Sequence, residues 1–174
     1  MSMRSVLFVG LLACFATMVQ ADDKPRLGVP VDETAIAASN FTILPNGEGL
    51  PAGGGDATEG EPVYVRACLA CHGVKGQEGM NDALVGGHGT LTGDLPVRTV
   101  GSYWPYATTL FDYIRRAMPY TAPGSLADND VYALTAYILF LNGIVAEEDT
   151  MTAETLPDVR MPNRDNFVWA YTPR

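Results

Sequence analysis

The sequence predicts a small all-α domain with three main helices. Apolar residues recur at helical spacing in three segments, which begin between Asp56 and Glu61, at Trp104 and at Asp128. Clusters of proline and glycine separate these segments and mark the connections between them as loops. No run of β-branched residues precedes the one pair of closely spaced cysteines, so a strand is not favoured there.

Residues 1–21 have the pattern of an export signal. Arg4 supplies a positive charge, residues 6–19 form an apolar core, and a small-residue cleavage site ends at Ala21. The apolar core is shorter than the roughly 20 residues that a membrane-spanning helix needs. We therefore expect a periplasmic protein cleaved near Ala21, with no membrane span. The residues before Cys14 also resemble a lipoprotein signal, and under that alternative Cys14 would be lipidated.

The charge balance narrows the possible partners. The 174-residue chain has 11 Lys and Arg against 20 Asp and Glu. Loss of Arg4 with the signal leaves 10 basic residues, a formal charge of −10 for residues 22–174. An acidic protein of this kind is unsuited to binding nucleic acid or an anionic membrane surface.

We expect one domain over residues 56–145, with an extended arm before it and a tail after it. The arm, residues 22–55, contains four prolines and several glycines, which exclude a long helix. Only residues 32–38 suit a short helical turn. The tail, residues 146–174, is acidic and wraps the domain. It ends with aromatic residues that either pack on the domain or bind a partner: Phe167, Trp169 and Tyr171.

The first helix is expected to run into the cysteine pair. Thr58 and Glu61 have the spacing of a capping box at its start. Pro62 is compatible with a helix only in the first turn. Gly60 and Tyr64 are four residues apart and share one face, where the glycine would allow another helix to approach closely.

The residues from Cys68 to His72 read Cys-Leu-Ala-Cys-His and predict covalent attachment of one haem c. Cys68 and Cys71 would each form a thioether with the haem, and His72 would be the proximal iron ligand. A zinc site needs about four Cys or His ligands, which the chain cannot supply in a suitable arrangement. A thioredoxin-like dithiol would follow a strand, and none is predicted here.

The second helix is expected to open at Trp104, with Pro105 as its first residue, and to run to about Arg116. Asp112 and Arg116 can pair across one turn. The helix would end at Met118, which precedes a proline. Its buried stripe is expected to contain Leu110, Phe111 and Ile114.

Met118 is the predicted distal iron ligand, because a methionine before a proline lies on an extended segment and Met opposite His is typical of electron carriers. Met161 also precedes a proline and is the alternative, whereas Met80 lies too near the haem motif and Met151 lies beyond the last helix. His88 is a weaker candidate in a glycine-rich loop. The side chains suited to contact haem propionates are Arg98, Tyr103, Trp104, Arg115 and Arg116.

The third helix is expected from Asp128 to about Asn142, with Gly143 ending it. Tyr137 is expected to cross the first helix at Gly60. The apolar seam contains Val131, Leu134, Ile138 and Leu141.

The order of helix, Cys-x-x-Cys-His, glycine-rich loop, helix, Met-Pro and final helix resembles the class I cytochrome c fold. Residues 99–109, residues 112–119 and residues 161–165 are also similar to the cytochrome subunit of sulfane and sulfite dehydrogenases of the Sox sulfur-oxidising system. In that family the cytochrome subunit is the partner of a molybdopterin subunit.

The resemblance implies a haem that accepts electrons from a molybdenum centre and passes them to a downstream cytochrome or oxidase. The chain would then be an electron-transfer protein and not itself a catalyst. Two other functions stay open at this point: a free soluble carrier that feeds a terminal oxidase, and a haem enzyme with a labile distal ligand.

Overall fold

The structure is a computed structural model that describes residues 28–168 and residue 170. The predicted export signal, Cys14, Trp169 and Tyr171 lie outside the described residues. The elements in chain order are α1 (Glu33–Ser39), β1 (Gly54–Gly55), α2 (Ala57–Ala67), α3 (Leu69–His72), α4 (Ala107–Ala117), α5 (Asp128–Leu141) and β2 (Met151–Thr152). The predicted all-α class is confirmed, since the two strands contain only two residues each.

The described residues divide into two units between Ser39 and Asn40. Within the first unit, α1 is a short exposed helix. It starts where the Asp32 side chain accepts a hydrogen bond from the Ala35 amide at 2.8 Å. This confirms the short helical turn that was predicted at residues 32–38.

Helix α5 is the centre of the second unit. Its residues from Val131 to Leu139 are all buried, and α2, α4 and both strands pack against it. Burial on all sides explains why this helix is apolar around its circumference. The predicted seam is confirmed, although Leu141 is only half-buried at the end. Asn142 caps the helix and Gly143 follows with φ +67°.

The backbones of α2 and α5 approach closely at Gly60. A methyl group on Gly60 would lie 2.0 Å from the carbonyl oxygen of Ala133. One turn further along α2, the ring of Tyr64 packs against the ring of Tyr137 with centroids 5.4 Å apart. The predicted crossing of Tyr137 over α2 is therefore confirmed.

Helix α2 begins within the range predicted for its start, but its capping box uses other residues than Thr58 and Glu61. The capping box is formed by Asp56, which accepts from the Glu59 amide at 2.9 Å, and by Glu59, which accepts from the Asp56 amide at 3.2 Å. The Thr58 hydroxyl donates to Asp56 instead of capping the helix itself, and this bond helps to lower the pKa of Asp56. Because the helix begins earlier than the predicted Thr58–Glu61 box, Pro62 lies in the second turn and not the first.

Helix α4 begins later than the prediction. It starts at Ala107 after an extended Tyr106, so Pro105 precedes the helix. The ring centroids of Trp104 and Tyr113 lie 5.6 Å apart, whereas nine residues of continuous helix would separate them by about 13.5 Å. The segment before Ala107 therefore folds back beside the helix. The predicted buried stripe is confirmed for Leu110, Phe111 and Ile114.

The arm and the tail meet in a small antiparallel sheet that was not predicted. Gly54 pairs with Thr152, and Gly55 pairs with Met151. Two-residue strands rich in glycine have no alternating apolar pattern, so the sequence carries no signal for them. Further along the tail, Leu156 and Met161 are almost fully buried in the core. Residues of the tail therefore form part of the core.

Of the three predicted tail aromatic residues, the structure describes Phe167. Phe167 packs edge-on against Tyr103 with ring centroids 5.5 Å apart, while 47% of its surface stays exposed.

Within residues 28–168 and 170, no helix is long and apolar enough to cross a membrane.

Gly60→Ala tests the close approach of α2 and α5. We expect the free energy of unfolding to fall by about 2 kcal/mol or more, because the added methyl group meets backbone and overpacking costs about 1–3 kcal/mol. Urea unfolding followed by circular dichroism measures the change. Gly93→Ala is the matched control, since its methyl group would meet nothing closer than 3.4 Å. Equal stability of the two variants would contradict the packing described here.

The phenol group of Tyr132 is expected to make the folding stability depend on pH. Its hydroxyl donates to the Pro51 carbonyl at 2.8 Å, and burial, reinforced by the nearby carboxylates of Asp128 and Glu154, raises its pKa from 10.0 to about 12. The folded state therefore holds the phenol proton more tightly than the unfolded chain. The associated stability is present in full below the unfolded pKa and is lost as pH rises from about 10 to about 12.

We expect Tyr132→Phe to lose about 1 kcal/mol of stability at pH 8 with its hydrogen bond. Between pH 10 and pH 12 the unfolding free energy of the variant should decline less than that of the wild type. Urea titrations at these pH values measure both slopes, and parallel declines would contradict the raised pKa.

Candidate haem site

The predicted haem motif occupies one helical turn. Cys68 lies between α2 and α3, and its amide donates to the Tyr64 carbonyl at 2.8 Å. The Cys68 carbonyl accepts from the amides of Cys71 at 3.1 Å and His72 at 2.9 Å. These bonds hold the two sulfurs and the imidazole on one compact turn. Both cysteines are free thiols and half-buried.

The Cys68 thiol is held in its neutral form. Burial raises its pKa to about 11, and the neighbouring Cys71 adds to this effect while Arg66 opposes it.

The orientation of His72 follows from a single hydrogen bond. Its Nδ1 lies 2.9 Å from the backbone carbonyl oxygen of Asp82. A carbonyl oxygen can only accept, so Nδ1 carries the proton and donates. The lone pair of Nε2 is consequently available to a metal, which is the arrangement that a metal-binding histidine needs.

A second contact ties the end of the motif to α2. The Tyr64 hydroxyl donates to the Gly73 carbonyl at 2.9 Å. The sequence indicated Tyr64 only as a packing residue, and its hydrogen bond has no recognisable sequence signal because the acceptor is backbone. The same holds for the Asp82 carbonyl, which the sequence reasoning also missed.

Met118 and Met161 have different surroundings. Met118 caps α4 in an extended conformation, its amide donates to the Ile114 carbonyl at 3.0 Å, and the Met118–Pro119 peptide bond is cis. Its side chain packs against the core but is only partly buried. Met161, by contrast, is 1% exposed and belongs to the core itself. Of the two thioethers, that of Met118 is the more accessible.

His88, the weaker candidate for an iron ligand, lies in a cleft apart from the cysteine motif. His88 is exposed and lines a cleft of about 570 Å³ together with Gly101, Tyr103, Asn163 and Phe167. The residues that line this cleft include neither the cysteine motif nor Met118.

The predicted propionate contacts are also partly engaged. Arg115 pairs with Asp128 at 2.9 Å, and Arg116 pairs with Asp112 across one turn as predicted. The Arg98 guanidinium lies over the ring of Tyr103 at 5.5 Å. Among the residues described, Arg98 forms no ion pair, which leaves it the most available of the three arginines.

The donor set fits a c-type haem. Two free thiols and an imidazole with an available Nε2 lie on one turn, and a thioether lies on a separate element that packs on the same core. Several apolar side chains of that core remain only half-buried, as the wall of a porphyrin site would be. They include Leu69, Leu84, Trp104, Leu126 and Phe140. Among residues 28–168 and 170, no group of three or more His, Cys, Asp and Glu side chains is placed to hold a metal ion by itself.

One protein family and one solved structure are similar to this chain. Residues 55–138 match the family described as cytochrome c oxidase, cbb3-type, subunit III. The chain is also similar to a chain in the crystal structure of the sulfane dehydrogenase SoxCD from Paracoccus pantotrophus. The identity is 38%, the TM-score is 0.77, and the match covers 83% of this chain and 72% of that chain. A search of curated proteins finds no significant match.

The accessibility of the two methionines leads to a test of the distal ligand. We expect Met118→Ala to abolish the near-infrared sulfur-to-iron absorption band of the oxidised protein, because it removes the accessible thioether. Met161→Ala is the control and should keep the band, although the loss of a core side chain should destabilise the fold by about 2–5 kcal/mol. The opposite result would assign the ligand to Met161.

Proposed function

Because the chain belongs to the class I c-type cytochromes, we propose that it is the electron-accepting partner of a molybdenum-dependent sulfite or sulfane dehydrogenase. The likeness to a chain of SoxCD, at 38% identity over 83% of this chain, is the observation that carries the proposal. The similarity extends well beyond the haem motif, so it includes surfaces that a haem alone does not require.

The residues of the motif would hold one haem c. Cys68 and Cys71 would tether it through thioethers, while His72 and Met118 would be its axial ligands. When bound, the haem supplies reversible one-electron exchange at its iron. The Asp82 carbonyl would keep the His72 ring in position, since it accepts the Nδ1 proton at 2.9 Å. With both axial positions filled by protein, the chain would carry electrons and leave the oxidation of substrate to its partner.

An exposed apolar surface beside the motif supports a partner contact there. The Asn81 amide donates to the Cys71 carbonyl at 3.0 Å, so the loop around Met80 lies against the motif. Met80 is 82% exposed and Val74, two residues after His72, is 71% exposed. Exposed apolar side chains next to a redox centre suit a transient and weakly polar docking contact.

The remaining parts of the proposal concern location and electron flow. Residues 1–21 would direct export and be removed near Ala21, so that haem attachment and electron transfer take place in the periplasm. Residues 56–145 would form the haem domain, with residues 22–55 and residues 146–174 as its arm and tail. A second cytochrome or an oxidase would take the electrons onward.

Purification with the native partner tests the function. We expect the tagged protein, isolated gently from its own periplasm, to retain a molybdenum-containing protein, and sulfite or sulfane sulfur to reduce the haem in that preparation. Absorption of the reduced haem and metal analysis measure the two results. A protein that purifies alone and is not reduced by these substrates would instead be a free carrier. Fast binding of cyanide or carbon monoxide at neutral pH would indicate a haem enzyme.

Surface variants test whether the partner docks beside the haem motif. In the reconstituted reaction, Met80→Lys should slow substrate-driven reduction of the haem by about tenfold, because a charge replaces an apolar contact at the proposed docking surface. Leu95→Lys is the matched control, since Leu95 is 85% exposed and lies well beyond Met80 along the same connection to α4. Equal rates for both variants would place the partner contact elsewhere.

A further inference from the structure

One buried side chain of α5 is linked to the loop that orients His72. Asn142 is 7% exposed and lies at the C-terminal end of α5. Its Nδ2 donates to the Leu84 carbonyl at 3.2 Å, and its Oδ1 accepts from the Gly86 amide at 3.2 Å. One side-chain amide thus pairs with the loop as a neighbouring peptide group would.

The orientation of the Asn142 amide is determined within its own helix. Nδ2 also donates to the Ile138 carbonyl at 2.8 Å, which assigns the nitrogen and the oxygen of the side chain. A carbonyl cannot donate, so the opposite assignment would place the side-chain oxygen against two carbonyl oxygens and the side-chain nitrogen against an amide N–H. Asn142 is therefore a rigid connection between α5 and the loop at residues 84–86.

The loop at residues 84–86 is close in sequence to Asp82, whose carbonyl is the hydrogen-bond partner of His72. Asp82, whose carbonyl accepts from His72 Nδ1 at 2.9 Å, lies two residues before Leu84. On its other side the loop is bonded to Gly76, whose carbonyl accepts from the Leu84 amide at 2.9 Å. The segment is thus held between the end of the motif and α5, and the Asp82 carbonyl has little freedom to move.

The absence of a side chain at Gly101 leaves the space that the Asn142 side chain occupies. A methyl group on Gly101 would lie 2.1 Å from Asn142 Oδ1. Gly101 is buried and its φ is not in the left-handed region, so the need for glycine comes from this approach and not from backbone conformation. Thr99 adds to the same arrangement, since its hydroxyl donates to the Gly86 carbonyl at 2.6 Å.

We infer that Asn142 is a positioning residue for the proximal histidine. By holding Leu84 and Gly86, it keeps the Asp82 carbonyl in place to accept the His72 ring proton. A firm hydrogen bond at Nδ1 strengthens the electron donation of the ring through Nε2. Asn142 would therefore influence the reduction potential without touching the haem. The inference rests on the proposed ligation by His72 and is independent of which protein donates the electrons.

The test compares variants of the full holoprotein by two measurements. The first is the exchange rate of the His72 Nδ1 proton with solvent, obtained by NMR of the reduced protein, and the second is the reduction potential. We expect Asn142→Leu to accelerate the exchange by about tenfold or more and to raise the potential, because the hydrogen bond at Nδ1 is weakened. Asn142→Ala removes the same side-chain hydrogen bonds and adds no charge, so its changes should have the same direction.

Two further variants separate positioning from stability. Thr135→Val removes another buried hydrogen bond of α5, from the Thr135 hydroxyl to the Val131 carbonyl at 2.7 Å, without contacting the loop. It should leave both measurements at their wild-type values. Gly101→Ala should displace Asn142 from the opposite side and reproduce the effect of Asn142→Leu.

Wild-type exchange and potential in Asn142→Leu would overturn the inference, and so would equal changes in Thr135→Val. If Asn142→Leu does not bind haem, the same criteria apply to Asn142→Ala. A wild-type protein in which His72 is not the axial ligand would overturn the proposed site together with this inference. A protein that passes these tests but is not reduced by any molybdenum dehydrogenase would refute only the proposed function.

Discussion

The close approach of α2 and α5 at Gly60 is the contact on which the site depends. The Ala133 carbonyl occupies the space that a side chain at position 60 would need, and the rings of Tyr64 and Tyr137 pack one turn further on. Helix α2 ends directly at Cys68. The crossing therefore determines where the haem motif begins, and any change in the separation of the two helices would move both cysteines and the histidine together.

The loop that follows the motif is held mainly by side chains that act on its backbone. The Tyr64 hydroxyl donates to the Gly73 carbonyl, and the Asn142 side chain bonds to the backbones of Leu84 and Gly86. In the same loop, the Asp82 carbonyl accepts a hydrogen bond from His72. A glycine-rich loop loses much conformational entropy on ordering. Fixing it from two neighbouring helices compensates for that cost and holds the Asp82 carbonyl beside His72.

The errors in the sequence predictions have a common origin. Helix α2 begins at Ala57 because the Asp56 and Glu59 pair forms a complete capping box, whereas the predicted Thr58 and Glu61 pair had the right residue types two positions later. Helix α4 begins after Pro105 because Trp104 folds back onto Tyr113. Both errors concern which of several acceptable local patterns is used. Local energies differ little between such patterns, so tertiary contacts select among them.

The sequence by itself predicted the chemistry of the site, through the spacing of Cys68, Cys71 and His72 and through Met118 before a proline. It also determined the apolar faces of three helices. These features are local, because a few neighbouring residues define each of them. The tertiary structure alone decided that the Asp82 carbonyl orients His72, that Met161 belongs to the core, and that β1 pairs with β2. These features join residues that are distant in sequence, often through backbone atoms that every residue possesses. No pattern of side chains can therefore predict them.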